Sequence, residues 1–224
     1  MKVTWLGQAG LLFENENIKI IVDPYLSDSC RKLSSLNVRR VPVNEEWFDV
    51  KPDMIICTHN HMDHLDPETL VRYLKEDSGI TVLCTVNGFS EARMFKGNNN
   101  YVSMEPGCEW SEKGVRISAV KAIHSEATAI GIIIDDGCKK YYVTGDTLFN
   151  KYIFDEIPND IYALFLPING VGNNMNMEDA ARFAETVNAE KVIPLHWGLF
   201  DDINPEDFPC DKKVIPEFYK EIKL

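Results

Sequence analysis

Four side chains that can bind metal ions lie within six residues, at His59, His61, Asp63 and His64. The apolar run 54–57 before them predicts a buried strand, and Asp66 followed by Pro67 is a typical start of a helix. The segment is therefore a short loop that is fixed at both ends. Any fold for this chain must place that loop at the end of a strand.

The spacing of the four side chains favours a metal site over four unrelated polar residues. In an extended chain, His59 and His61 point to the same side, so both imidazoles can reach one ion. Asp63 and His64 diverge from that pair if the chain turns toward the helix, which suits a second ion. The cluster contains no cysteine, which argues against a closed structural zinc site. A lone histidine is more often a packed or solvent-facing residue, but this combination reverses that expectation.

The other two histidines and one aspartate also follow predicted strands. His124 comes after the strand 115–120, Asp146 after the strand 140–144, and His196 directly after the strand 191–195. Loops at strand ends commonly carry functional residues. Alone, Asp146 is also compatible with a turn or a helix cap. Together with the 59–64 loop, the three residues predict one site built from distant parts of the chain.

Short strands dominate the first half of the chain, and helices join them later. The pattern predicts strands at 2–6, 10–14, 18–22, 54–57, 81–85, 115–120, 130–135, 140–144, 162–166 and 191–195, and helices at 67–76, at 88–95 and from Asn176 onward. A long irregular stretch covers 23–53. With no linker or repeat in view, we expect a single α+β domain over 1–224, with two packed sheets and helices outside.

Net charge and the pattern of cysteines limit the cellular compartment and the binding partners that we expect. The 224 residues carry a net charge of −12, which opposes binding to nucleic acid and to anionic membranes. The six cysteines form no CxxC pair, the N-terminus has no signal-peptide pattern, and no apolar run is long enough to span a bilayer. We therefore expect a cytoplasmic protein with a small-molecule substrate, which can be anionic if a metal supplies positive charge. The sequence is compatible with a homo-oligomer as well as with a monomer.

In this order, the ligand motifs resemble those of the metallo-β-lactamase superfamily. The resemblance runs from Trp5-Leu6-Gly7 to His196 and implies a four-layer αββα sandwich with a binuclear site at one edge of the sheets. It implies that one ion is held by His59, His61 and His124. It also implies that Asp63, His64 and His196 hold the second ion, and that Asp146 bridges the two.

Further motifs resemble the branch that contains L-ascorbate-6-phosphate lactonase. They are Gly7-Gln8-Ala9-Gly10, Asp23-Pro24, the Gly/Asn-rich segment 170–174 and the run 188–196 that ends at His196. The resemblance implies a metal-dependent hydrolase that cleaves a small carbonyl ester. The preferred substrate class is a lactone, and a phosphorylated sugar lactone such as L-ascorbate 6-phosphate is one example. A small-molecule or lipid phosphodiesterase is the alternative, and a non-catalytic metal-binding protein is a remote one.

The expected cofactors are two divalent ions, zinc or manganese first, which together activate a shared water for hydrolysis. Asp63 is the expected catalytic side chain besides the ligands. Ligating histidines usually donate their second ring nitrogen to a neighbouring oxygen. Supporting or substrate-binding roles are therefore predicted for Gln8, Asp23, Thr58, Thr144, Asn173 and Asn174. For Asp23, a turn before Pro24 is an equal alternative. For Asn173 and Asn174, the alternative is an ordinary Gly/Asn turn with no role in the site.

Overall fold

Two mixed six-stranded sheets form the centre of a computed structural model that describes residues 1–95 and 97–224. The first sheet holds, side by side, Lys2–Gly7 (β1), Gly10–Glu14 (β2), Lys19–Val22 (β3), Met54–Cys57 (β4), Thr81–Cys84 (β5) and Asn100–Ser103 (β6). Strands β1 to β3 pair antiparallel, and β3 to β6 pair parallel. Short connections therefore build the meander, and longer crossovers build the parallel half.

The second sheet also combines an antiparallel half with a parallel half. Its strands are Glu109–Glu112 (β7), Val115–Lys121 (β8), Ile130–Asp135 (β9), Lys140–Val143 (β10), Ile161–Pro167 (β11) and Lys191–Leu195 (β12). Strands β7 to β10 pair antiparallel, whereas β10, β11 and β12 are parallel. Both sheets thus contain strands whose carboxyl ends lie at one shared edge.

Three hydrophobic cores define the layers. The largest core lies between the sheets and joins residues of both, such as Phe13 and Phe165, whose rings meet edge to face at 5.5 Å. Helix α1, Pro67–Tyr73, packs on the outer face of the first sheet, as does part of α2, Val86–Ala92. Helix α3, Met177–Val187, packs on the outer face of the second sheet. The order of layers is therefore helix, sheet, sheet, helix.

Helix α1 is shorter than the prediction of 67–76. It begins as expected, because the Asp66 side chain accepts hydrogen bonds from the first backbone amides of the helix. It ends at Tyr73, because Leu74 adopts φ −83° and ψ 67°, outside the helical region. The carbonyl of Glu76 then accepts a hydrogen bond from the amide of Asn98 at 3.1 Å. A contact with a distant loop therefore replaces the last predicted turn.

Helix α2 is displaced toward the N-terminus relative to the prediction of 88–95. The Thr85 hydroxyl accepts from the amide of Gly88 at 3.2 Å and thereby starts the helix two residues before the predicted position. The edge strands β6 and β7 were not predicted, because their sequences, NYVS and EWSE, lack an apolar run. Among the described residues, no helix has the length and hydropathy needed to cross a bilayer.

Candidate metal centre

Strand direction brings the predicted ligands to one edge of the sandwich. Asp23 follows β3 and the 59–64 loop follows β4, and these two strands are parallel neighbours. In the second sheet, β8, β10 and β12 run in one direction and are followed by His124, Asp146 and His196. The two edges are joined where the amide of Ile130 donates to the carbonyl of Thr58 at 3.0 Å. Distant segments therefore converge on one small volume.

The loop after β4 turns back on itself before α1 begins. The amide of His64 donates to the carbonyl of His61 at 2.9 Å, which makes a tight turn in the middle of the motif. His59 and His64 are buried, whereas His61 and Asp63 are partly exposed to the cleft above them. The turn brings the His64 ring to 4.0 Å from that of His59, so all four side chains of the motif lie close together.

The seven predicted ligands form three overlapping groups that could hold a metal ion. Within each group, one ligand atom per residue lies within 4.8 Å of the others, and the groups are His59, His61 and His124; Asp63, His64 and His196; and His59, His64 and Asp146. The first two groups are the two predicted ligand sets. The third lies between them and contains the predicted bridge.

Distances within these groups place Asp146 in contact with both sides. Its Oδ1 lies 3.4 Å from Nε2 of His64, and its Oδ2 lies 3.3 Å from Nε2 of His196. The same Oδ2 is 4.0 Å from Nε2 of His124. On the first side, Nε2 of His124 faces Nδ1 of His61 at 3.1 Å. The carboxylate is therefore positioned as a shared ligand would be.

The hydrogen bonds of His64 and His59 leave one ring nitrogen of each free for a metal. Nδ1 of His64 donates to Oδ2 of Asp23 at 2.8 Å, and Nδ1 of His59 lies 3.2 Å from the Thr58 hydroxyl. That hydroxyl donates to Asp23 at 2.7 Å, so its lone pairs can accept from His59. Among the described residues, Nε2 of His59 and Nε2 of His64 are buried and make no hydrogen bond. Unpartnered buried nitrogens are costly, and a metal ion is a partner that fits them.

Amide side chains hold three of the other predicted ligands, Asp63, Asp146 and His196. Nδ2 of Asn174 donates to Oδ2 of Asp146 at 2.8 Å, and Nε2 of Gln8 donates to Oδ2 of Asp63 at 2.9 Å. The Asn169 amide contacts Nδ1 of His196 at 2.9 Å, while its own Oδ1 makes no hydrogen bond among the described residues. Rotating this amide by 180° presents its oxygen to Nδ1–H, and Nε2 of His196 then faces Asp63 and the Gln8 amide at 3.1 Å each, beside Asp146.

Asn169 was absent from the sequence prediction, although a signal for it existed. It follows the end of β11 by two residues and precedes Gly170, so it shares the position of a polar residue after a strand. We expect Asn169→Ala to lower metal affinity by about 10- to 100-fold, the usual effect of losing a partner of a ligating histidine. Asn169→Asp keeps an acceptor oxygen and should retain more of the affinity. Equal affinity of Asn169→Ala and the wild type, measured by competition with a fluorescent chelator, would contradict this role.

The carboxylates and histidines at the centre of the site shift one another's pKa values. Burial favours the neutral carboxyl of Asp146, but His196 and His64 outweigh it and hold its pKa well below the usual range. Burial likewise disfavours a charged His196, but Asp146 and Asp63 raise its pKa to about 10. Burial, reinforced by His64, keeps the pKa of His59 well below its usual value. Burial opposes a charged His64, but Asp146, Asp23 and Asp63 raise its pKa well above the usual value, so a divalent cation bound here would displace protons from His64 and His196.

Four site residues other than glycine adopt positive φ, which costs backbone free energy. They are Gln8 (φ 51°), Asp23 (φ 45°), Asn173 (φ 65°) and His196 (φ 61°). Such strain persists only where the surrounding structure fixes it, and it concentrates at functional sites. In Asn173 the side chain is exposed, and the carbonyl oxygen lies 3.3 Å from Nδ1 of His124. The main chain of Asn173, rather than its predicted amide, therefore faces the site.

Thr144 and Gly145 support the loop that carries Asp146. The Thr144 hydroxyl donates to the carbonyl of Gly145 at 2.7 Å, so the structure places it on the loop backbone and not on a histidine ring. Gly145 has φ +60°, and a Cβ there would lie 2.8 Å from the carbonyl oxygen of Ile130 and 3.0 Å from Thr58. The close approach of the two sheet edges therefore requires glycine at this position.

We expect Gly145→Ala to destabilise the fold by about 2 kcal/mol or more, because strain at positive φ adds to the clash. Gly137→Ala is the matched control, since Gly137 also has positive φ (+84°) but a Cβ there would meet no atom within 4 Å. Urea unfolding of both variants with a chelator present separates the clash from the strain. A loss in Gly145→Ala no larger than that in Gly137→Ala would contradict the steric argument.

A cleft of about 480 Å³ opens above the ligands. The exposed sides of His61, Asp63, Asp146 and His196 form its floor, and residues of the 24–53 segment and of the 169–174 loop form its walls. Its volume suits a small ligand that reaches the proposed ions from one side. The cleft can therefore bring a small molecule to the groups that could hold a metal ion.

Comparisons with known proteins agree with this geometry. A family model described as a beta-lactamase superfamily domain matches residues 19–197. A protein from Staphylococcus carnosus named UPF0173 metal-dependent hydrolase is 31% identical, with 96% of this chain and 93% of that protein covered. A protein of the same name from Methanosarcina mazei is 28% identical, covering 96% of this chain and 94% of that one.

Solved structures share the fold at low sequence identity. Igni18, a metallo hydrolase from Ignicoccus hospitalis, superposes with a TM-score of 0.77 at 20% identity and covers 98% of this chain and 96% of that one. An isothiocyanate hydrolase from Delia radicum gut bacteria has a TM-score of 0.77 at 17% identity, with 100% and 99% covered. These likenesses concern the fold alone, and they confirm the predicted α+β sandwich of the metallo-β-lactamase type.

Proposed function

The chain belongs to the beta-lactamase superfamily and to the proteins named UPF0173 metal-dependent hydrolases, and from this premise we propose that it is a hydrolase with two divalent metal ions. His59, His61 and His124 would hold one ion, Asp63, His64 and His196 the other, and Asp146 both. The observation that carries the proposal is the pair of buried, unpartnered Nε2 atoms on His59 and His64, which face the ionised Asp146.

The donor set is made of imidazole nitrogens and carboxylate oxygens, which suits zinc or manganese. When bound, two such ions supply an activated water and stabilise negative charge on the oxygen of the group that is cleaved. The chain's own residues hold the ligands: Asp23 orients His64, Asn174 orients Asp146, and Gln8 orients Asp63. These contacts fix the donor atoms before the substrate arrives.

Asp63 is the proposed catalytic side chain. It is partly exposed on the floor of the cleft, and its Oδ2 lies 3.1 Å from Nε2 of His196. His64 and His196 outweigh the effect of burial and lower its pKa, so the carboxylate is ionised at neutral pH. It can therefore accept a hydrogen bond from a water on the cleft side and direct that water toward the substrate.

We assign the substrate to small carbonyl esters, with lactones first. A carbonyl group is flat and uncharged, so it needs no fixed cation besides the ions, and none of the described residues that line the cleft is Lys or Arg. For the same reason, the proposal does not extend to a phosphorylated sugar lactone or to a phosphodiester. Both carry anionic oxygens that proteins usually pair with arginine or lysine.

A panel of esters tests the assignment. We expect protein loaded with Zn²⁺ or Mn²⁺ to open unsubstituted γ- and δ-lactones at least 10-fold faster than it cleaves bis(p-nitrophenyl) phosphate. Asp63→Asn should lose the activity but still bind both ions, with reduced affinity. Asp211→Asn is the control, because Asp211 is exposed and lies far along the chain, and it should behave as the wild type. Turnover of the phosphodiester and of no lactone by fully loaded protein would contradict the proposal.

A further inference from the structure

The walls of the cleft carry apolar side chains that point into solvent. Leu33 and Leu36 of the 24–53 segment are 66% and 82% exposed, and Val171 of the opposite loop is 68% exposed. All three line the same cleft. Single exposed apolar residues are ordinary, but a group of them around one opening marks a surface that binds apolar matter.

The apolar surface continues from the rim toward the ligands. Met62 and Phe200 are half-buried in the wall, and Cys30 is buried beneath them in a small core with Tyr25. The Phe200 ring packs edge to face on Tyr25, with centroids 5.8 Å apart. Core packing thus holds the lower wall in place, so a bound apolar group would meet a preformed surface.

None of the basic residues of the 24–53 segment is among the described residues that line the cleft. Arg39 donates to the carbonyl of Tyr25 at 2.9 Å and to the Tyr219 hydroxyl at 2.8 Å. Arg40 donates to the carbonyl of Asp201 at 2.7 Å and pairs with Asp202. The segment therefore presents leucines to the cleft, while these two arginines bind protein oxygens.

Two further basic residues of the segment are paired with carboxylates. Arg31 lies 4.0 Å from Asp28, and Lys32 pairs with Glu68 of α1. Asp201 adds a negative charge to the cleft wall, where its Oδ1 accepts from two backbone amides, at Gly198 and Ile203. An anionic group bound along the wall would meet a carboxylate and no guanidinium among the described lining residues.

We propose that the cleft selects an uncharged substrate whose carbonyl reaches the ions and whose apolar group lies against Leu33, Leu36, Val171 and Phe200. This specificity rests on the proposed hydrolase function. A lactone or ester with an alkyl or aryl substituent has the required chemistry. A sugar phosphate does not, because its charged end would lie along an apolar wall.

Alkyl hydroxamates test the wall without turnover, since the hydroxamate group binds metal ions and the tail samples the cleft. We expect the affinity for Zn²⁺-loaded protein, measured calorimetrically, to rise about three- to fourfold per added methylene from acetohydroxamate to octanohydroxamate, until the tail leaves the cleft. A hydroxamate of equal length that ends in a carboxylate should bind at least 10-fold more weakly than its methyl-ended counterpart.

Matched variants test whether the gain in affinity per methylene comes from the cleft wall. Leu36→Ser and Val171→Ser should reduce the gain per methylene and leave the affinity for acetohydroxamate unchanged. Val71→Ser is the control, because Val71 is also exposed (56%) but lies on α1, outside the cleft lining. An unchanged gain in both cleft variants would overturn the assignment of the wall.

The outcomes separate this inference from the function on which it rests. If acetohydroxamate binds but the affinity does not rise with tail length, or the carboxylate end is preferred, the apolar specificity is wrong and the hydrolase proposal stands. If the protein binds neither metal nor acetohydroxamate, both fail. Concentration-dependent dimerisation in analytical ultracentrifugation that Leu36→Ser abolishes, without a tail-length effect, would assign the rim to a second copy of the chain and overturn the proposal.

Discussion

Replacing Asp146 by asparagine is expected to reduce hydrolysis by about 10³-fold, because a neutral amide removes the one carboxylate that faces both ligand groups. The change keeps the shape of the side chain, so folding should be affected little. Asp146 lies 3.3 Å from His196 of one ligand group and 4.0 Å from His124 of the other, whereas the ion-pair contacts of Asp63 among the described residues are with His64 and His196 of a single group. Rate measurements at saturating Zn²⁺ with a reactive lactone check the prediction.

Asp63→Asn serves as a comparison, since it changes a carboxylate of one ligand group only. If Asp146 bridges the ions, Asp146→Asn should bind fewer ions per chain than Asp63→Asn at equal free metal. Asp211→Asn controls for the loss of one negative charge from a chain that carries −12. Activity of Asp146→Asn within 10-fold of the wild type would contradict a bridging role.

Removing the metal ions is expected to lower the melting temperature by about 10 to 20 °C. An ion present at 100 times its Kd stabilises the folded state by about 2.7 kcal/mol, so two sites contribute about 5 kcal/mol. For a chain of this size, each kcal/mol shifts Tm by about 2 to 4 °C. The site joins both sheets through His59, Asp146 and His196, so the loss affects the whole sandwich. Differential scanning calorimetry with and without EDTA measures the shift.

Asp146→Asn is also the control for this experiment, because a chain that binds fewer ions should respond less to EDTA. Re-addition of Zn²⁺ or Mn²⁺ should restore the wild-type Tm. A Tm that stays constant while the metal content falls to zero would show that the ions do not stabilise the fold.

The sequence allowed the fold and the candidate ligands to be predicted for a physical reason. Each ligand lies at or shortly after a strand, and strand patterns are local, so His124, Asp146 and His196 could be placed at strand ends without knowing the sheet order. In the 59–64 loop, the spacing of the four side chains was itself enough to predict a metal site. The structure brings all seven side chains together, while their roles as ligands stay a prediction.

The supporting residues were harder to predict, because their roles depend on distant contacts. Asp23 reaches His64 across 41 positions of sequence, and Asn169 reaches His196 across 27. A Gly/Asn-rich segment does not reveal which of its amides faces the site. Asn174 contacts Asp146, whereas Asn173 contributes a carbonyl and Asn169 was missed.

Edge strands and helix ends were missed for a similar reason. Strand β6 has only Tyr101 and Val102 as apolar residues and β7 has only Trp110, which is too short a pattern to predict a strand, and pairing with β5 and β8 makes them strands. The arginines of the 24–53 segment offered another ambiguity. From the sequence, Arg39 and Arg40 are compatible with phosphate binding or with a solvated loop face, and their contacts show that both donate to protein oxygens.

The metal content of the native protein tests the central claim most directly. Inductively coupled plasma mass spectrometry of protein purified without chelators, and of the same protein after dialysis against Zn²⁺ or Mn²⁺, gives the number of ions per chain. The two ligand groups that share Asp146 predict two ions per chain in the loaded wild type and a clear loss in Asp146→Asn. A loaded wild-type chain that holds fewer than one ion would contradict the binuclear centre and the hydrolase built on it.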